Sequence, residues 1–504
     1  MAQPCCSRRR FLKALPLASV ALAVDGPCAL GNSVPAQRPD RKPNFVFILV
    51  DDMGWKDTAC YGSAYYETPN INRLAAEGMR FTNAYAACAV CSPTRAAVMT
   101  GRYPARLGVT DWIRARFQGG KIPEDKKNPT EYLGGPNARL LCPPNALWME
   151  LDEITVAEAL SSAGYTCCHI GKWHLGPDEW YPEKQGFDYN IGGCDFGQPP
   201  SYFDPYSRKG QGQIPTLKPR RKGEYLTDRE ADEAVDFIRR CRYSRFFLYM
   251  AHYAVHTPIQ AKADLVEKYK AKPTTDQKNP AYAAMVESVD AAVGKICSVL
   301  DELRLSDNTI IFFTSDNGGL VPVTNNSPLR AGKGYPYEGG IREPLIVRWP
   351  KVVKPGSLSH EPVTSVDYFP TICEAAGVPL PSDRDIDGLS LLAHLKSNGR
   401  QSLDRDAIYW HFPHYRGRVV PYSIIREGDW KLIKRYDGKT FELFNLKDDL
   451  SEKNDVAPKM PERVRRLDAR LSRWLKATGA RLPRPNAKYN PDFNREKRRS
   501  PGRK

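Results

Sequence analysis

The sequence predicts an α/β fold, and three observations carry that reading. Asn44–Val50 (NFVFILV), Phe246–Ala251 (FFLYMA) and Thr309–Thr314 (TIIFFT) are continuous apolar runs, the pattern of strands buried on both faces. Met285, Val289, Val293, Ile296, Leu300 and Leu303 recur at helical spacing just before the third run, so a helix there packs on a sheet and feeds the next strand. Alternation of the two periods along one chain is the signature of sheet and helix in layers.

The chain holds 504 residues, 41% hydrophobic and 26% charged, the composition of a soluble globular protein with one large or two medium domains. The basic run Ser7–Lys13 precedes the apolar run Ala14–Val24, which is too short to span a bilayer. This is a signal-peptide pattern, expected over residues 1–36 with cleavage after Gly31 or Ala36. Arg8-Arg9-Arg10 followed by Phe11-Leu12-Lys13 reads as a twin-arginine (Tat) signal, which implies the Tat export machinery as a partner and a periplasmic or secreted destination. The chain then divides into an expected catalytic domain (43–400), a smaller subdomain (401–480) and a basic, disordered tail (481–504). Residues 114–150 and 178–222 are long loops rich in Gly, Pro and charge, and loops of that length are usually functional. From about Ile408 short alternating strands take over, at Tyr422–Arg426, Gly428–Ile433 and Phe441–Phe444, closed by a helix over Arg463–Ala477.

The formal net charge is +16, but residues 1–42 hold +5 and residues 481–504 hold +7, which leaves +4 for 43–480. That distribution, without zinc-finger spacing or an RNA-binding signature, argues against a nucleic-acid partner. Of thirteen cysteines, Cys5, Cys6 and Cys28 fall in or near the signal. Setting Cys91 aside leaves nine, an odd number, so at least one thiol stays free.

Chemistry-bearing residues cluster at the ends of the apolar runs. Asp51-Asp52 follows the first, and Asp316-Asn317 follows the third; ligands in open α/β sheets sit outside such strand ends. Four oxygen-bearing side chains suit calcium or magnesium, whereas zinc would call for His or Cys. In Gly164–His174, Lys172 and His174 project to one side of an extended chain. His256 and Lys333 stand in His256-Thr257-Pro258 and in Leu329–Gly334. Cys91-Ser92-Pro93-Thr94-Arg95 opens a short helix, with Pro93 suited to the first turn and Gly101 to the exit. A cysteine there faces unpaired N–H groups and the positive end of the helix dipole.

The stretch Ala89–Gly101 resembles the sulfatase signature, whose cysteine is oxidised to formylglycine, and the other segments resemble that family's remaining site motifs in order. The resemblance covers roughly residues 43–480. It implies an alkaline-phosphatase-like large mixed sheet flanked by helices, with a smaller C-terminal antiparallel-sheet subdomain. It implies a sulfuric ester hydrolase acting on a sulfated carbohydrate or aryl sulfate. The implied cofactors are a formylglycine made from Cys91, by a formylglycine-generating enzyme or a radical maturase, and calcium in preference to magnesium. The family's metal ligands fall on Asp51, Asp52, Asp316 and Asn317, with the modified Cys91 also touching the metal. Its sulfate-binding and supporting residues fall on Arg95, Lys172, His174, His256 and Lys333. His256, assisted by Lys333, is the expected general acid and His174 the expected base. Cys167 stands where the family usually has Ser or Thr, at a non-catalytic position. A phosphonate or phosphate ester hydrolase on the same fold is the nearest alternative. Asp111, Trp112 and Arg114, with His411, His414 and Arg416 of the smaller subdomain, are candidates for substrate recognition.

Overall fold

Every residue of Asn44–Val50 (β1) is buried, because a parallel strand lies on each side of it and helices cover both faces. The computed structural model describes residues 42–493, and the compact unit that holds both sheets begins at Lys42. The other strands of the large sheet are β2 (Met79–Tyr85), β3 (Thr166–Gly171), β4 (Tyr189–Ile191), β5 (Phe246–Ala251), β6 (Thr309–Ser315), β7 (Arg342–Arg348), β8 (Ser357–Ser359) and β9 (Val363–Thr364). Their order is β8-β2-β7-β6-β1-β5-β3-β4, with β9 also paired to β2. All pairings are parallel except those of β7, which runs antiparallel to both β6 and β2 and makes the sheet mixed.

Alternate residues of the central strands feed two cores. Val46, Ile48, Val50, Leu248, Met250, Ile311 and Phe313 face α4 (Leu226–Arg240) and α5 (Pro280–Glu302). Phe45, Phe47, Leu49, Phe247, Tyr249 and Phe312 face the other side, where α2 (Cys91–Thr100), α3 (Val156–Ser162) and α6 (Tyr368–Ala376) pack. Other helices of nine residues or more are α1 (Pro69–Glu77), α7 (Pro461–Ala477) and a helix over Ala263–Ala271. The expected helix over 285–303 is α5, which begins earlier because Asn279 caps it and Pro280 fills its first position. Among the described residues no helix is long and apolar enough to cross a membrane.

The smaller sheet is antiparallel throughout: β10 (Ile408–Phe412), β11 (Tyr422–Glu427), β12 (Trp430–Arg435) and β13 (Thr440–Asn445). One face takes Leu467, Leu471 and Leu475 of α7 against Ile425, Leu432 and Leu443. The other places Trp410, Phe412, Ile424 and Ile433 against Tyr85, Ala89, Val90 and Ile341, the segments that lead into α2 and β7. A buried ionic knot fastens the two sheets together. Lys431 Nζ lies 2.9 Å from Glu338 Oε1 and 2.8 Å from Glu452 Oε1. Arg342 Nε donates to Glu338 Oε2 at 2.7 Å, and Glu452 Oε2 accepts the Glu338 N–H at 2.6 Å.

The expected signal peptide (1–36) and residues 494–504 of the expected tail lie outside the described residues. Residues 481–493 are not the free tail that their charge predicted. Arg484–Pro485 pairs with Leu140–Leu141, Asn486 Nδ2 donates to the carbonyls of Gly135 and Ala138, and Arg484 stacks 4.0 Å from the Tyr132 ring. Cationic side chains here are satisfied by aromatic faces, which a charge count does not register. The ten cysteines among the described residues are unpaired.

Lys431 is fully buried between two carboxylates. Lys431→Ala leaves Glu452 without its ion-pair partner and Glu338 with Arg342 alone, so we expect a loss of about 3–5 kcal/mol of stability. Urea denaturation of the variant beside the parent protein checks this, and a loss below about 1 kcal/mol would show the knot to be dispensable.

Candidate active site

The C-terminal edge of the large sheet collects the polar residues. β1 delivers Asp51 and Asp52, β6 delivers Asp316 and Asn317, β3 leads into Lys172 and His174, and β5 leads toward His256. These four strands are neighbours in the order β6-β1-β5-β3, so residues distant in sequence meet within one hydrogen-bond network. Lys172 Nζ is 2.6 Å from Asp51 Oδ2, and Lys333 Nζ is 2.5 Å from Asp52 Oδ1. Asn317 Nδ2 donates to Asp52 Oδ1 at 2.8 Å. Arg95 Nε donates to Asp316 Oδ2 at 2.8 Å, and its Nη1 to the Lys172 carbonyl at 2.7 Å. Asp52 and His174 both adopt the left-handed backbone region, φ 62° and 60°, a conformation that costs about 1 kcal/mol for a residue with a side chain. Strain held at two site residues marks positions where side-chain direction is selected over comfort.

α2 is buried along its whole length, starts at Cys91 and ends at Gly101 in the left-handed conformation, φ 68°. Thr94 Oγ1 accepts the N–H of Cys88 at 3.1 Å and so ties the entering chain to the first turn. Cys91 Sγ lies 3.4 Å from His174 Nδ1. His174 Nε2–H donates to the Ile113 carbonyl at 2.7 Å, which fixes the tautomer and leaves the Nδ1 lone pair aimed at residue 91. Burial first, then the charge of Lys172, hold His174 well below the usual histidine range, so the ring is neutral. Burial and Lys333 push His256 down to about 3, although Asp52, 3.6 Å from its Nε2, pulls the other way. His256 Nδ1–H donates to the Thr257 carbonyl at 2.9 Å.

The carboxylates are crowded. Burial, then the charge of Asp316, raise Asp51 to about 8 despite Lys172. Asp52 is equally buried, but Lys333, His256 and Lys172 together hold it below the usual carboxylate range. Three buried oxygens here have no hydrogen-bond donor: Asp51 Oδ1, Asp52 Oδ2 and Asn317 Oδ1. Asp51, Asp52 and His256 also offer ligand atoms within 4.8 Å of one another. Unpaired buried oxygens on an acid-rich spot are the donor set of a hard divalent cation, and the residues present fit one.

The sulfatase family profile matches residues 43–378, and a profile for the C-terminal part of N-sulphoglucosamine sulphohydrolase matches residues 332–478. The chain belongs to the sulfatase family. A sulfatase of Formosa agariphila is 32% identical over 523 residues, covering 88% of this chain and 91% of the relative. Human N-acetylgalactosamine-6-sulfatase is 38% identical over 402 residues, covering 75% of this chain and 69% of the relative. The solved structure of Ps i-CgsB in complex with k-i-k-neocarrahexaose superposes with a TM-score of 0.73 at 31% identity, covering 86% of this chain and 93% of that one. The protein is a sulfatase of the alkaline phosphatase superfamily, and the large mixed sheet with its small antiparallel companion is that fold.

The site of this sulfatase opens into a pocket of about 240 Å³ lined by Cys91, His174, His256 and Lys333. Of the recognition candidates, Trp112 and Arg416 line it. Asp111 and Arg114 do not. Asp111 Oδ1 accepts the N–H of Trp112 at 2.8 Å, and burial raises its carboxyl to about 6. The Arg114 guanidinium lies 5.6 Å from the Trp112 ring and lines a neighbouring cleft with Lys121 and Trp148. His411 and His414 are corrections. Both are buried in the smaller subdomain, His411 between Ser423 Oγ at 2.7 Å and the Arg481 carbonyl at 3.1 Å, His414 against Thr110 Oγ1 at 2.8 Å. Their ring nitrogens hold packed structure together, and neither reaches the pocket.

Val90 also lines the pocket, and sequence reasoning missed three further lining residues, Gln118, Gly197 and Gln198. They lie in the two long loops, whose length was the only signal. At Gly197 a Cβ would stand 2.6 Å from His174 Cε1, so glycine is what lets that loop close over the histidine ring.

The crowding has a measurable sign. With no cation bound, Asp51's value of about 8 against an ordinary 3.8 means that the folded chain keeps a proton the unfolded chain has released. Stability then falls as pH rises through that window, and a bound cation removes the penalty by keeping Asp51 ionised. The rise in melting temperature on adding calcium to chelator-stripped protein should therefore grow from about pH 5 to pH 8. A pH-independent rise, or a larger one with zinc than with calcium, would contradict the oxygen-ligand site.

Proposed function

We propose that this sulfatase removes sulfate from a sulfated carbohydrate, using a formylglycine made from Cys91 and a bound calcium ion. The observation that carries the reading is convergence: six catalytic candidates and four oxygen ligands from six stretches of sequence surround the start of α2, with His174 Nδ1 at 3.4 Å from Cys91 Sγ. The likeness to Ps i-CgsB, solved in complex with k-i-k-neocarrahexaose, supports a carbohydrate substrate.

Formylglycine at residue 91 would supply, as its hydrate, a nucleophilic hydroxyl and a second hydroxyl whose deprotonation would release sulfate, and a cation held by Asp51, Asp52, Asp316 and Asn317 would supply Lewis acidity. The chain's own residues do the rest. Arg95, locked between Asp316 and the Lys172 carbonyl, holds a cation beneath the first turn of α2. Lys172 and Lys333 place ammonium charge where the sulfate oxygens gather negative charge. His174 is held neutral with its lone pair toward residue 91, the state a base requires. The leaving oxygen takes its proton from the Lys333–His256 pair. Lys333, raised by Asp52 against the cost of burial, keeps its proton at working pH. His256 gains one only as the substrate's negative charge enters beside it. We assign installation of the formylglycine to a generating enzyme or radical maturase, and delivery to the periplasm or outside to the Tat machinery, on the strength of the Ala89–Gly101 signature and the Arg8–Lys13 run.

The peptide containing residue 91 should carry an aldehyde in place of the thiol by mass spectrometry, and Cys91→Ala should fold normally yet turn over no sulfate ester. Full activity in that variant would end the formylglycine reading.

His256→Ala should separate substrates by leaving group. An aryl oxygen leaves with little proton assistance and a sugar oxygen needs a great deal, so the sugar-sulfate rate should drop about 100-fold more than the aryl-sulfate rate. Equal losses on both would move the acid role away from His256.

A further inference from the structure

The catalytic constellation uses its cations on one oxyanion, the scissile sulfate, and Arg416 is a charge left over. It comes from the loop between β10 and β11 of the small sheet, yet its side chain lines the catalytic pocket beside Lys333 and Trp112. Its backbone is pinned. The Arg416 N–H donates to the Val419 carbonyl at 3.0 Å, and the Val419 N–H returns to the Arg416 carbonyl at 2.9 Å. Gly334, next to Lys333, makes room for the side chain. It adopts φ +86°, and a Cβ there would stand 2.6 Å from Arg416 Nε and 2.9 Å from Cδ. The guanidinium thus lies against the loop that carries Lys333. Lys333 is neutralised by Asp52 at 2.5 Å. Arg416, in contrast, makes no ion pair and no side-chain hydrogen bond among the described residues, although Asp111 and Tyr422 feel its charge. Asp111, the acid that influences it, spends an oxygen on the Trp112 N–H.

An arginine presents five donors in a planar fork that matches carboxylates and tetrahedral oxyanions. A fork left unpaired at the wall of a polar pocket that Trp112 also lines is a receptor for a second oxyanion on a sugar. We infer that Arg416 binds a second anionic group of the substrate, a carboxylate or another sulfate ester, on the sulfated sugar or its neighbour. The preferred substrate is then a carbohydrate with at least two negative charges. This deepens the sulfatase reading and rests on it.

The test is a selectivity ratio. kcat/KM is measured for a monosulfated sugar, the same sugar with a second sulfate, a disaccharide that adds a uronate, and 4-nitrophenyl sulfate. The parent enzyme should prefer one of the two doubly charged sugars, and which one it prefers tells sulfate from carboxylate. Arg416→Ala and Arg416→Gln should collapse that preference roughly ten- to a hundredfold, mainly through KM, and Arg416→Lys should restore only part of it. Dissociation constants for the same sugars on a Cys91→Ala background should show the same collapse without any turnover. A preference that survives in Arg416→Ala, or a parent enzyme that favours the monosulfated sugar, overturns the proposal while leaving the sulfatase reading intact. A parent enzyme inactive on all four compounds, with residue 91 oxidised and calcium present, overturns that reading instead.

Discussion

Three carboxylates at the end of a buried sheet are the constraint on which the site depends. Asp51, Asp52 and Asp316 are each at most 1% exposed, and burying even one unpaired carboxylate costs several kcal/mol. The chain answers with cations from three other elements: Lys172 after β3, Arg95 in α2, and Lys333 in the loop after β6. Strand order makes this possible. β1 lies between β6 and β5, with β3 next, so the acids and their partners emerge on one edge within reach of one another. Compensation stops short of completion, because Asp51 stays raised and three oxygens lack donors. A protein that leaves that deficit at one spot has prepared the spot for a cation.

The smaller sheet is part of the same arrangement. Lys333 sits on an irregular loop between β6 and β7, and such a loop wanders unless something fixes it. Arg330 Nη1 donates to the Glu452 carbonyl at 2.8 Å, and the Glu338 N–H donates to the Glu452 side chain. Both anchors belong to the knot around Lys431. The C-terminal subdomain therefore holds the loop that places Lys333, and it also supplies Arg416 to the pocket wall.

Much of this was legible in the sequence, for physical reasons that differ by element. β1, β5 and β6 announce themselves because strands buried on both faces must be apolar throughout. α2 announces itself through Pro93 and Gly101, which suit a helix start and exit. The acids at strand ends, Lys172 and His174 follow once strands are placed. β7 was harder. Arg342 and Glu343 interrupt its apolar run, and Glu343 is buried with a carboxyl raised well above its usual range, a cost sequence patterning does not advertise. His411 and His414 misled because a histidine's residue type does not say whether its nitrogens face a pocket or a neighbouring hydroxyl. Gln118 and Gln198 were invisible because loop side chains acquire a role only from the fold that brings two loops together. Residues 481–493 were misread because arginine on an aromatic face looks, in one dimension, like free charge.

The cation-rich surroundings also explain why the parts of the site depend on one another. Lys172 and Arg95 are among the causes that hold His174 well below its ordinary range, so the ring is a weak base. A weak base removes a proton efficiently only from a group whose own acidity has been raised to match. The same cluster of positive charge would do that for the hydroxyl proposed at residue 91, since it stabilises the anion left behind. Part of the basicity lost at His174 and the acidity gained by the proposed hydroxyl thus share an origin in the same charges, beside the burial that comes first for His174. The Ile113 carbonyl then decides which nitrogen of the weakened ring carries the lone pair. A histidine left solvated and unpaired would be the stronger base, but near neutral pH it would spend much of its time protonated and unable to act.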